Sequence, residues 1–441
     1  MKVCVIGGGL AGMSTALAVK RYGIEVTLLE ASGYDRCCAG EHLVSQGINA
    51  LASLGSPAAI WESNSVNCDE IQSAWGSGEF YTKDSILNPY GGGVLLTRPD
   101  FDAELSQYVR KSGIDLRTDS RGCYLKRRLN QWLIKYKSKR GSKELIADFV
   151  VDATGRNTKF ALSLGAIKLK YDNLIAITGF ITPGEFKHEM PAGTIKIEAT
   201  SYGWCYSAIL KDRTLVVSLM TDNNIAAEYG TTEKAFRYLI PSTNIGSNII
   251  KNGGEFETIT ACSAQTQILN KVSGDGWLSV GDAAWSADPL SSSGMFKAIR
   301  SGINAAKAIN DCQLKKVSAL ERYAHEVRTE FYKYLAERAR YYRMEVRWRN
   351  EDFWKKRHPL NWLESPVKIH PMHRIEFDPD VSPKKRQHIR NVVPSIDLDL
   401  LINVLSKSTT ACETVEVYKK SAAGSVTDKE IIVAVQELLA L

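Results

Sequence analysis

The first 31 residues limit the fold more than any other part of the sequence. An apolar stretch from Lys2 to Ile6 leads into GGGLAG, where Gly7, Gly9 and Gly12 have the spacing GxGxxG. An Ala-rich helical segment, a glycine turn and a second apolar stretch follow. The first glycine permits a tight turn, the second lets a pyrophosphate approach the backbone, and the third lets the helix lie close to the strand. This order predicts a dinucleotide-binding βαβ unit rather than an isolated glycine turn.

The second strand of this unit ends in an acid, Glu30, which lies 18 residues after Gly12. A carboxylate at this place accepts hydrogen bonds from the hydroxyl groups of an adenosine ribose and repels a 2′-phosphate. We expect Leu10 and Ala11, at the start of the helix, and Ala31, beside the acid, to belong to the same site, because a helix N-terminus attracts phosphate.

Two later segments again end a strand in an acid and a glycine. One is ADFVVDATGR, with Asp152, Thr154 and Gly155, and the other is GWLSVGDAAW, with Gly281 and Asp282. The first of them resembles the second fingerprint of FAD-dependent aromatic monooxygenases and their relatives. Three such segments in this order resemble an FAD enzyme of the glutathione-reductase type, and the resemblance gives Asp282 a bond to a ribityl hydroxyl.

The third segment continues as DPLSSSGM, in which Pro289 bends the chain and Ser291 to Gly294 open a helix that includes Met295. Free amides at a helix start stabilise negative charge. We therefore expect Pro289, Gly294 and Met295 to face the flavin ring.

These motifs predict an α/β (α+β overall) fold: a discontinuous Rossmann-like FAD-binding domain at 1–173 and 265–320, a β-sheet substrate domain at 174–264 and a mainly helical C-terminal region at 321–441 with a small terminal module. Five stretches between 174 and 264 are rich in strand formers: IAITGFI, GTIKIEAT, WCYSAIL, TLVVSLM and FETITACSA. We expect an antiparallel sheet that covers the flavin, and a strand-like TVEVYKK in the terminal module. Trp204 and Tyr206 are either substrate-pocket aromatics or core aromatics of this sheet.

A narrower resemblance covers about the first 360 residues. GEHL, SAWGSGEF, RPDFDAEL, DATGR, GWCYSAI, GWLSVGDAAWSADPLSSSG and YYRMEVRWRNEDFWKKR resemble the tryptophan-halogenase-like flavoproteins. The most similar members of that group are those required for tryptophylquinone cofactor biogenesis in bacterial amine-oxidising enzymes. In this superfamily an arginine before a helix commonly contacts FAD, which gives Arg98 that role unless it is a surface residue. Glu41 and His42 lie in the flavin-adjacent segment and are the candidate catalytic residues, with Glu41 also a candidate contact to the cofactor. His42 is either a catalytic base or a packed or FAD-contacting imidazole.

The same resemblance raises halogenation as an alternative, and the sequence departs from it three times. Flavin halogenases carry a lysine well after the first fingerprint, but the only candidate here is Lys83, in FYTKDSILN, which reads as a surface loop. Their WxWxIP signature corresponds to WCYSAI, where Tyr206 replaces the second tryptophan and the proline is missing. Ser291 stands where indole halogenases have a catalytic glutamate.

We therefore expect an FAD-dependent monooxygenase that hydroxylates tryptophan in a protein or peptide through a flavin hydroperoxide, a step that needs dioxygen but no protein nucleophile. NADH, NADPH or an external flavin reductase would supply the electrons. The aromatic and basic region from Tyr341 to Arg390 is the expected contact surface for a protein substrate, with 17 Lys and Arg against 11 Asp and Glu between Glu321 and Arg390. A non-catalytic FAD-binding assembly factor is a further alternative.

Composition excludes several other classes. Nine cysteines, odd in number and without a CxxC, are typical of reduced thiols in the cytoplasm. The net charge of +7 is interleaved with acids, so we expect no nucleic-acid partner. No apolar run approaches the ~20 residues that span a bilayer, and no basic region precedes the first strand, so we expect neither a membrane partner nor a signal peptide. His370 and His373 form an HxxH, but no cysteine lies near them and we expect no metal.

Overall fold

The computed structural model describes residues 1–34, 40–68, 70–84, 92–182, 191–357, 379, 381–393, 395–407 and 411–422, with residues 426, 430, 431, 434, 435 and 438 near the C-terminus. The HxxH pair lies outside these residues. The chain forms two compact units, one of residues 1–168 and 172–331 and one of residues 169–171 and 332–441. The first unit holds all three glycine-and-acid segments together with the β-rich region, and the domain boundaries stay a prediction.

The strands are numbered in chain order. They are β1 (Lys2–Ile6), β2 (Glu25–Leu29), β3 (His42–Leu43), β4 (Ser65–Asn67), β5 (Glu70–Ala74), β6 (Tyr81–Asp84), β7 (Val94–Leu96), β8 (Asp115–Arg117), β9 (Arg121–Arg128), β10 (Gln131–Ser138), β11 (Gly141–Ala147), β12 (Phe149–Asp152), β13 (Lys168–Lys170), β14 (Leu174–Ile181), β15 (Thr194–Thr200), β16 (Gly203–Ile209), β17 (Leu215–Asp222), β18 (Thr258–Ser263), β19 (Gln267–Leu269), β20 (Ser273–Gly274), β21 (Trp277–Ser279) and β22 (Trp285–Ser286).

The α-helices are distributed over the whole chain. They are α1 (Leu10–Arg21), α2 (Ser45–Ser53), α3 (Ala59–Glu62), α4 (Arg98–Lys111), α5 (Lys159–Ser163), α6 (Asn223–Ala227), α7 (Thr232–Leu239), α8 (Asn244–Lys251), α9 (Gly294–Gln313), α10 (Ala319–Met344), α11 (Asp352–Lys355), α12 (Pro383–Val392), α13 (Leu398–Leu405) and α14 (Ala411–Ser421).

The FAD-type fingerprints lie on a six-stranded sheet with the order β20-β21-β12-β1-β2-β8. The pairs β21–β12, β12–β1, β1–β2 and β2–β8 are parallel, so the carboxyl ends of β1, β2, β12 and β21 meet at one edge. Helices α1 and α9 pack closely where Gly302 lacks a side chain. A Cβ at this position would come within 2.7 Å of the Thr15 nitrogen. This arrangement brings the first, second and third fingerprints together and confirms the predicted fold class.

A seven-stranded sheet with the order β18-β14-β17-β16-β15-β5-β6 forms the second layer of the first unit. The five predicted strand segments correspond to β14 to β18. Two differences stand out: the sheet also contains β5 and β6, and β15 pairs with β5 in parallel rather than antiparallel. Lys83 therefore lies in a strand and not in the predicted surface loop. Helices α7 and α8 cover one face of the sheet through Phe236, Leu239 and Ile245, which pack against Cys205.

The C-terminal unit has its own apolar core, built from α12, α13 and α14. Ile389, Leu401, Leu405 and Tyr418 are fully buried in it. The predicted strand TVEVYKK is wrong, since Thr414 to Lys420 belong to α14. Thr414 and Tyr418 are both buried and lie four residues apart, which is the spacing of one helix face.

Three aromatic residues of the expected contact surface are buried in the C-terminal unit. Tyr342, Phe353 and Trp354 pack against one another, with ring centroids 5.4 to 6.2 Å apart. The buried Arg357 guanidinium lies 3.8 Å from the centre of the Phe353 ring. These three rings form a core stabilised by cation–π contact, and the expected contact surface from Tyr341 to Arg390 stays a prediction.

None of the described helices has the length and apolar character needed to cross a bilayer. Within the described part of the chain, no group of three or more His, Cys, Asp or Glu residues is placed to hold a metal ion.

Candidate active site and cofactor cavity

A cavity of about 380 Å³ lies between the six-stranded and the seven-stranded sheets. This volume is in the range of small-molecule sites. The residues predicted for cofactor, catalysis or substrate that line the cavity are Gly9, Leu10, Ala11, Glu41, His42, Arg98, Gly155, Trp204, Tyr206, Asp282, Pro289, Gly294 and Met295. The predicted residues Gly7, Gly12, Glu30, Ala31, Thr154 and Gly281 are not among its lining residues.

The glycine turn after β1 has a steric reason for two of its glycines. Gly7 has φ +110°, and a Cβ there would overlap the carbonyl group of Ala153. A Cβ at Gly12 would overlap the Gly7 oxygen. A Cβ at Gly9 would meet no atom within 4 Å, so the backbone at the start of α1 is open to a ligand. In the described part of the chain no side chain caps this helix, and its first amides are therefore available to an anion.

Glu30 lies at the end of β2 and bonds the protein itself. Its carboxylate accepts hydrogen bonds from the Gly8 nitrogen at 2.6 Å and from the nitrogen and hydroxyl of Ser32, both at 2.7 Å. The Tyr34 hydroxyl donates to the Gly8 carbonyl at 2.9 Å. The acid thus holds the glycine turn in place, and its predicted contact with a ribose would add to these bonds.

The second fingerprint is organised by the buried side chain of Asp152. One of its oxygens accepts from the nitrogen and the hydroxyl of Thr154, and the other from the nitrogens of Phe160 and Ala161. Burial raises the pKa of this carboxyl, and these four hydrogen bonds oppose the rise. Thr154 is thereby turned to the loop rather than to the cavity, while Gly155 lines the cavity with φ +64°.

Three charged residues, Arg156, Asp282 and Lys297, form what we call the charged cluster. Lys297 Nζ lies 2.5 Å from one oxygen of Asp282, and Arg156 Nε lies 3.2 Å from the other. Burial would raise the pKa of Asp282, but the charges of Lys297 and Arg156 hold it below its usual value. Burial lowers the pKa of Lys297, and Asp282 opposes that effect. Each charge of the pair thus opposes the effect of burial on the other.

Arg156 also holds the backbone at Gln265 and Ala287. Its guanidinium donates to the carbonyls of Gln265 and Ala287, each at 2.8 Å. The following turn carries a short 3-10 helix, Pro289–Ser291, capped by the buried carboxylate of Asp288. The chain then enters α9 at Gly294. The turn predicted to face a flavin ring is thus held by a side chain from the second fingerprint.

Arg98 is the first residue of α4 and lines the cavity. It forms an ion pair with Asp102 at 2.9 Å and donates to the Gly40 carbonyl at 3.1 Å. Both side chains of the pair are mostly buried, so the guanidinium is held in one place. Its predicted contact with the cofactor stays a prediction.

Glu41, His42 and Tyr206 form a second group at the cavity, which we call the polar wall. His42 Nε2 donates to the Gly92 carbonyl at 2.8 Å, and since a carbonyl only accepts, Nδ1 is the basic nitrogen. Nδ1 of His42 and the hydroxyl of Tyr206 are buried without a hydrogen-bond partner among the described residues. The polar wall thus holds buried polar atoms that a ligand can satisfy.

Burial also sets the protonation of the polar wall. It lowers the pKa of His42, so the imidazole is neutral at pH 7. It raises the pKa of Glu41, an effect that the hydrogen bonds from the backbone, the charge of Arg98 and the nearby Tyr206 hydroxyl offset only in part. Burial and the neighbouring Glu41 raise the pKa of Tyr206, whose hydroxyl stays protonated. The Tyr206 hydroxyl acts on Glu41 without a hydrogen bond of good geometry.

One face of the seven-stranded sheet supplies the apolar part of the cavity. Trp204 on β16 lies beside Met220 on β17, and Met220 lies beside Ala176 on β14. Ala176 in turn lies beside Cys262 on β18. All four line the cavity. Tyr206 lies on the same face, two residues after Trp204. Trp204 is buried and contacts Trp75 edge to face, so it is both a core aromatic and a cavity residue.

These residues fit FAD. The open backbone at Gly9 and the uncapped start of α1 suit a diphosphate, and Asp282 keeps a third of its side chain exposed for a further hydrogen bond. Sequence reasoning missed Arg156 and Lys297. Arg156 follows directly on the second fingerprint, and Lys297 is a lone cation in the apolar run GMFKAI, which was the available signal.

Comparison with known proteins agrees with this reading of the cavity. A family model described as "FAD binding domain" matches residues 1–339. A curated relative, "Putative FAD-dependent oxidoreductase LodB" of Marinomonas mediterranea, is 27% identical over 82% of this chain and 97% of its own length. "Tryptophan 2-halogenase" of Chondromyces crocatus is 25% identical over 80% of this chain and 70% of its own.

Solved structures with the same fold include one described as "Peptidyl tryptophan dihydroxylase QhpG essential for tryptophylquinone cofactor biogenesis". It is 21% identical, has a TM-score of 0.66, and the similarity covers 80% of this chain and 78% of that one. This likeness shows a common fold.

Proposed function

This chain belongs to the FAD binding domain family of flavoproteins, and we propose that it is a monooxygenase that hydroxylates a tryptophan side chain within a protein or peptide. The reaction would be a step in the formation of a tryptophylquinone cofactor. NADH, NADPH or a separate flavin reductase supplies the electrons in this proposal, and dioxygen is the second substrate.

The observation that carries the proposal is the polar wall beside an apolar aromatic surface. His42 Nδ1 and the Tyr206 hydroxyl are buried without partners among the described residues, and leaving such groups unsatisfied costs about 1–3 kcal/mol each. A substrate with an apolar ring and an N–H at its edge suits this surface: the ring packs against Trp204 and Met220, and the N–H donates to the oxygen of the Tyr206 hydroxyl, which leaves His42 Nδ1 free. An indole has this shape and polarity.

FAD, when bound and reduced, supplies the activation of dioxygen for this chemistry. One oxygen atom enters a C–H bond of the ring and the other leaves as water, with two electrons from the reduced cofactor. The ring proton that is displaced needs a base. His42 is suited to accept it, because its pKa is lowered by burial and its Nδ1 has no protein partner among the described residues.

Halogenation receives less support from the residues of the cavity. A lysine that carries an activated halogen has to be a free amine. Among the described residues that line the cavity the only lysine is Lys297, and its ammonium contacts Asp282, the Trp285 carbonyl and the Trp285 ring. Ser291 has a hydroxyl bonded to Ser293 at 2.7 Å where indole halogenases have a glutamate. The likeness to a tryptophan 2-halogenase keeps halogenation as the outcome to test against.

The proposal is tested with FAD-loaded protein that is reduced without oxygen and then mixed with heavy-isotope dioxygen, chloride and bromide. The probes are free tryptophan and short peptides with one central tryptophan. We expect mass spectrometry to find one labelled oxygen on the peptide tryptophan. A halogen on the ring, or full oxidation of the cofactor with no modified tryptophan in any probe, contradicts the proposal. Modification of free tryptophan in preference to the peptides contradicts its protein-substrate part.

A further inference from the structure

Lys297 is a buried cation in the first turn of α9. Its side chain is 5% exposed, and burial of an ammonium group is costly unless it is paired. Nζ donates to Asp282 at 2.5 Å and to the Trp285 carbonyl at 2.6 Å, and it lies 4.3 Å from the centre of the Trp285 ring. Two of the three N–H donors of the ammonium are used in these hydrogen bonds, and the ammonium also contacts the ring. The lysine is therefore a fixed positive charge and not a nucleophile.

The charged cluster carries one positive charge more than it needs for internal balance. Asp282 is already paired with Arg156 at 3.2 Å, yet Lys297 pairs with its other oxygen. Of the other acids nearby, Glu330 on α10 is paired with Arg300 at 3.1 Å, and Asp288 accepts from the Leu290 nitrogen at 3.0 Å. A second buried cation gives little net stability, since its desolvation offsets the attraction to Asp282. The surplus charge calls for a reason other than folding.

That reason lies in what shares the cavity with Lys297. Asp282, Gly294 and Met295 belong to the segment predicted to face the flavin ring, and they line the same cavity as the lysine. A fixed positive charge in a cavity with an apolar wall acts strongly on nearby charge, because little water screens it. Two-electron reduction places negative charge on a flavin unless a proton follows, and a nearby cation stabilises that form.

We propose that Lys297 raises the reduction potential of the bound flavin, with the surplus charge of the Arg156, Asp282 and Lys297 cluster as the cause. Lys297 acts through the electrostatics of the cavity and through Asp282, and is a positioning residue. The inference rests on the FAD site of the proposed function and does not depend on which substrate is hydroxylated.

The test is the two-electron midpoint potential of FAD-saturated protein without substrate, measured against reference dyes. Lys297→Met removes the charge and keeps the length of the side chain. We expect the ratio of reduced to oxidised flavin at a fixed potential to fall about tenfold, which is ~30 mV for a two-electron couple. Lys297→Arg keeps the charge and should stay near the wild-type potential. Lys159→Met is the matched control, because Lys159 is an exposed lysine 5.7 Å from the centre of the Phe160 ring and does not line the cavity.

A second variant keeps the test valid if Lys297→Met does not fold. Asp282→Asn removes the negative charge, so the surplus rises and the potential should shift upward. Opposite shifts of the two charges support the inference. An unchanged potential in the foldable variants, or shifts of the same sign, shows that Lys297 is only a counter-ion for Asp282. Hydroxylation is not measured here, so failure of the proposed substrate leaves this result unaffected.

Discussion

The charged cluster and the polar wall line one cavity and differ in how their buried groups are paired. In the charged cluster, Arg156, Asp282 and Lys297 bond one another or the backbone. In the polar wall, His42 and Tyr206 each keep a buried polar atom without a partner among the described residues. A closed network holds its own geometry and charge, whereas open acceptors and donors cost stability until a ligand binds. In the proposed function, the charged cluster prepares the cofactor site and the polar wall awaits a substrate.

The largest effect is expected at the polar wall. His42→Gln keeps a donor for the Gly92 carbonyl but removes the basic Nδ1, so the rate of hydroxylation should fall about 10²–10⁴-fold. FAD affinity should change little. Steady-state rates and a flavin titration measure the two effects, with the exposed His325→Gln as control. A loss of FAD binding that accounts for the whole loss of rate would assign His42 to the cofactor instead.

The next effect belongs to the charged cluster. Asp282→Ala leaves Lys297 buried without its counter-ion, and breaking a buried pair costs about 3 kcal/mol or more. Urea unfolding of the FAD-free protein measures the loss. Asp275→Ala is the control, because Asp275 forms an ion pair with Arg127 while its side chain is 90% exposed; a surface pair of this kind is worth about 1 kcal/mol or less. Equal losses in the two variants would show that Asp282 stabilises the protein no more than the surface ion pair of Asp275 does.

The sequence predicted the fold and the glycine turn after β1 because those depend on local spacing. Gly7 and Gly12 are required by contacts within a few residues or with the neighbouring strand, and the period-two pattern of β14 to β18 is local as well. TVEVYKK was assigned the period of a strand, whereas Thr414 and Tyr418, four residues apart, are the buried positions among its described side chains.

Lys297 and Arg156 were missed for a different reason. A lysine in a helix is ordinarily solvated, and the sequence does not show that α9 packs with Asp282 and Trp285 around this one. The unpaired atoms of the polar wall depend in the same way on β3, β7 and β16, which are distant in the chain. Pairing of buried polar groups is a tertiary property, and local patterns do not contain it.

A smaller effect separates two tyrosines whose hydroxyl groups are buried. Tyr206→Phe removes a hydroxyl that has no hydrogen-bond partner among the described residues, so the free energy of unfolding should stay the same or rise by about 1 kcal/mol. Tyr323→Phe removes a hydroxyl that donates to the Ser279 carbonyl at 2.6 Å, and should lower it by about 1 kcal/mol. Urea unfolding of both variants compares them directly. Equal destabilisation would mean that the Tyr206 hydroxyl is paired in the folded protein.

The smallest effect is a pH dependence of the free energy of unfolding. His42 and Glu41 of the polar wall contribute to it with opposite signs. The folded-state pKa of His42 lies below its ordinary value, so its contribution to stability is complete above about pH 6.5 and is lost as pH falls through the folded pKa. The pKa of Glu41 is raised, so its contribution is present at low pH and is lost as pH rises through the folded value. The unfolding free energy at about pH 7 minus that at about pH 5 should therefore be lower in His42→Gln than in the wild type, because only Glu41 remains, and higher in Glu41→Gln, because only His42 remains. The same pH difference in all three proteins would show that burial shifts the pKa of neither His42 nor Glu41.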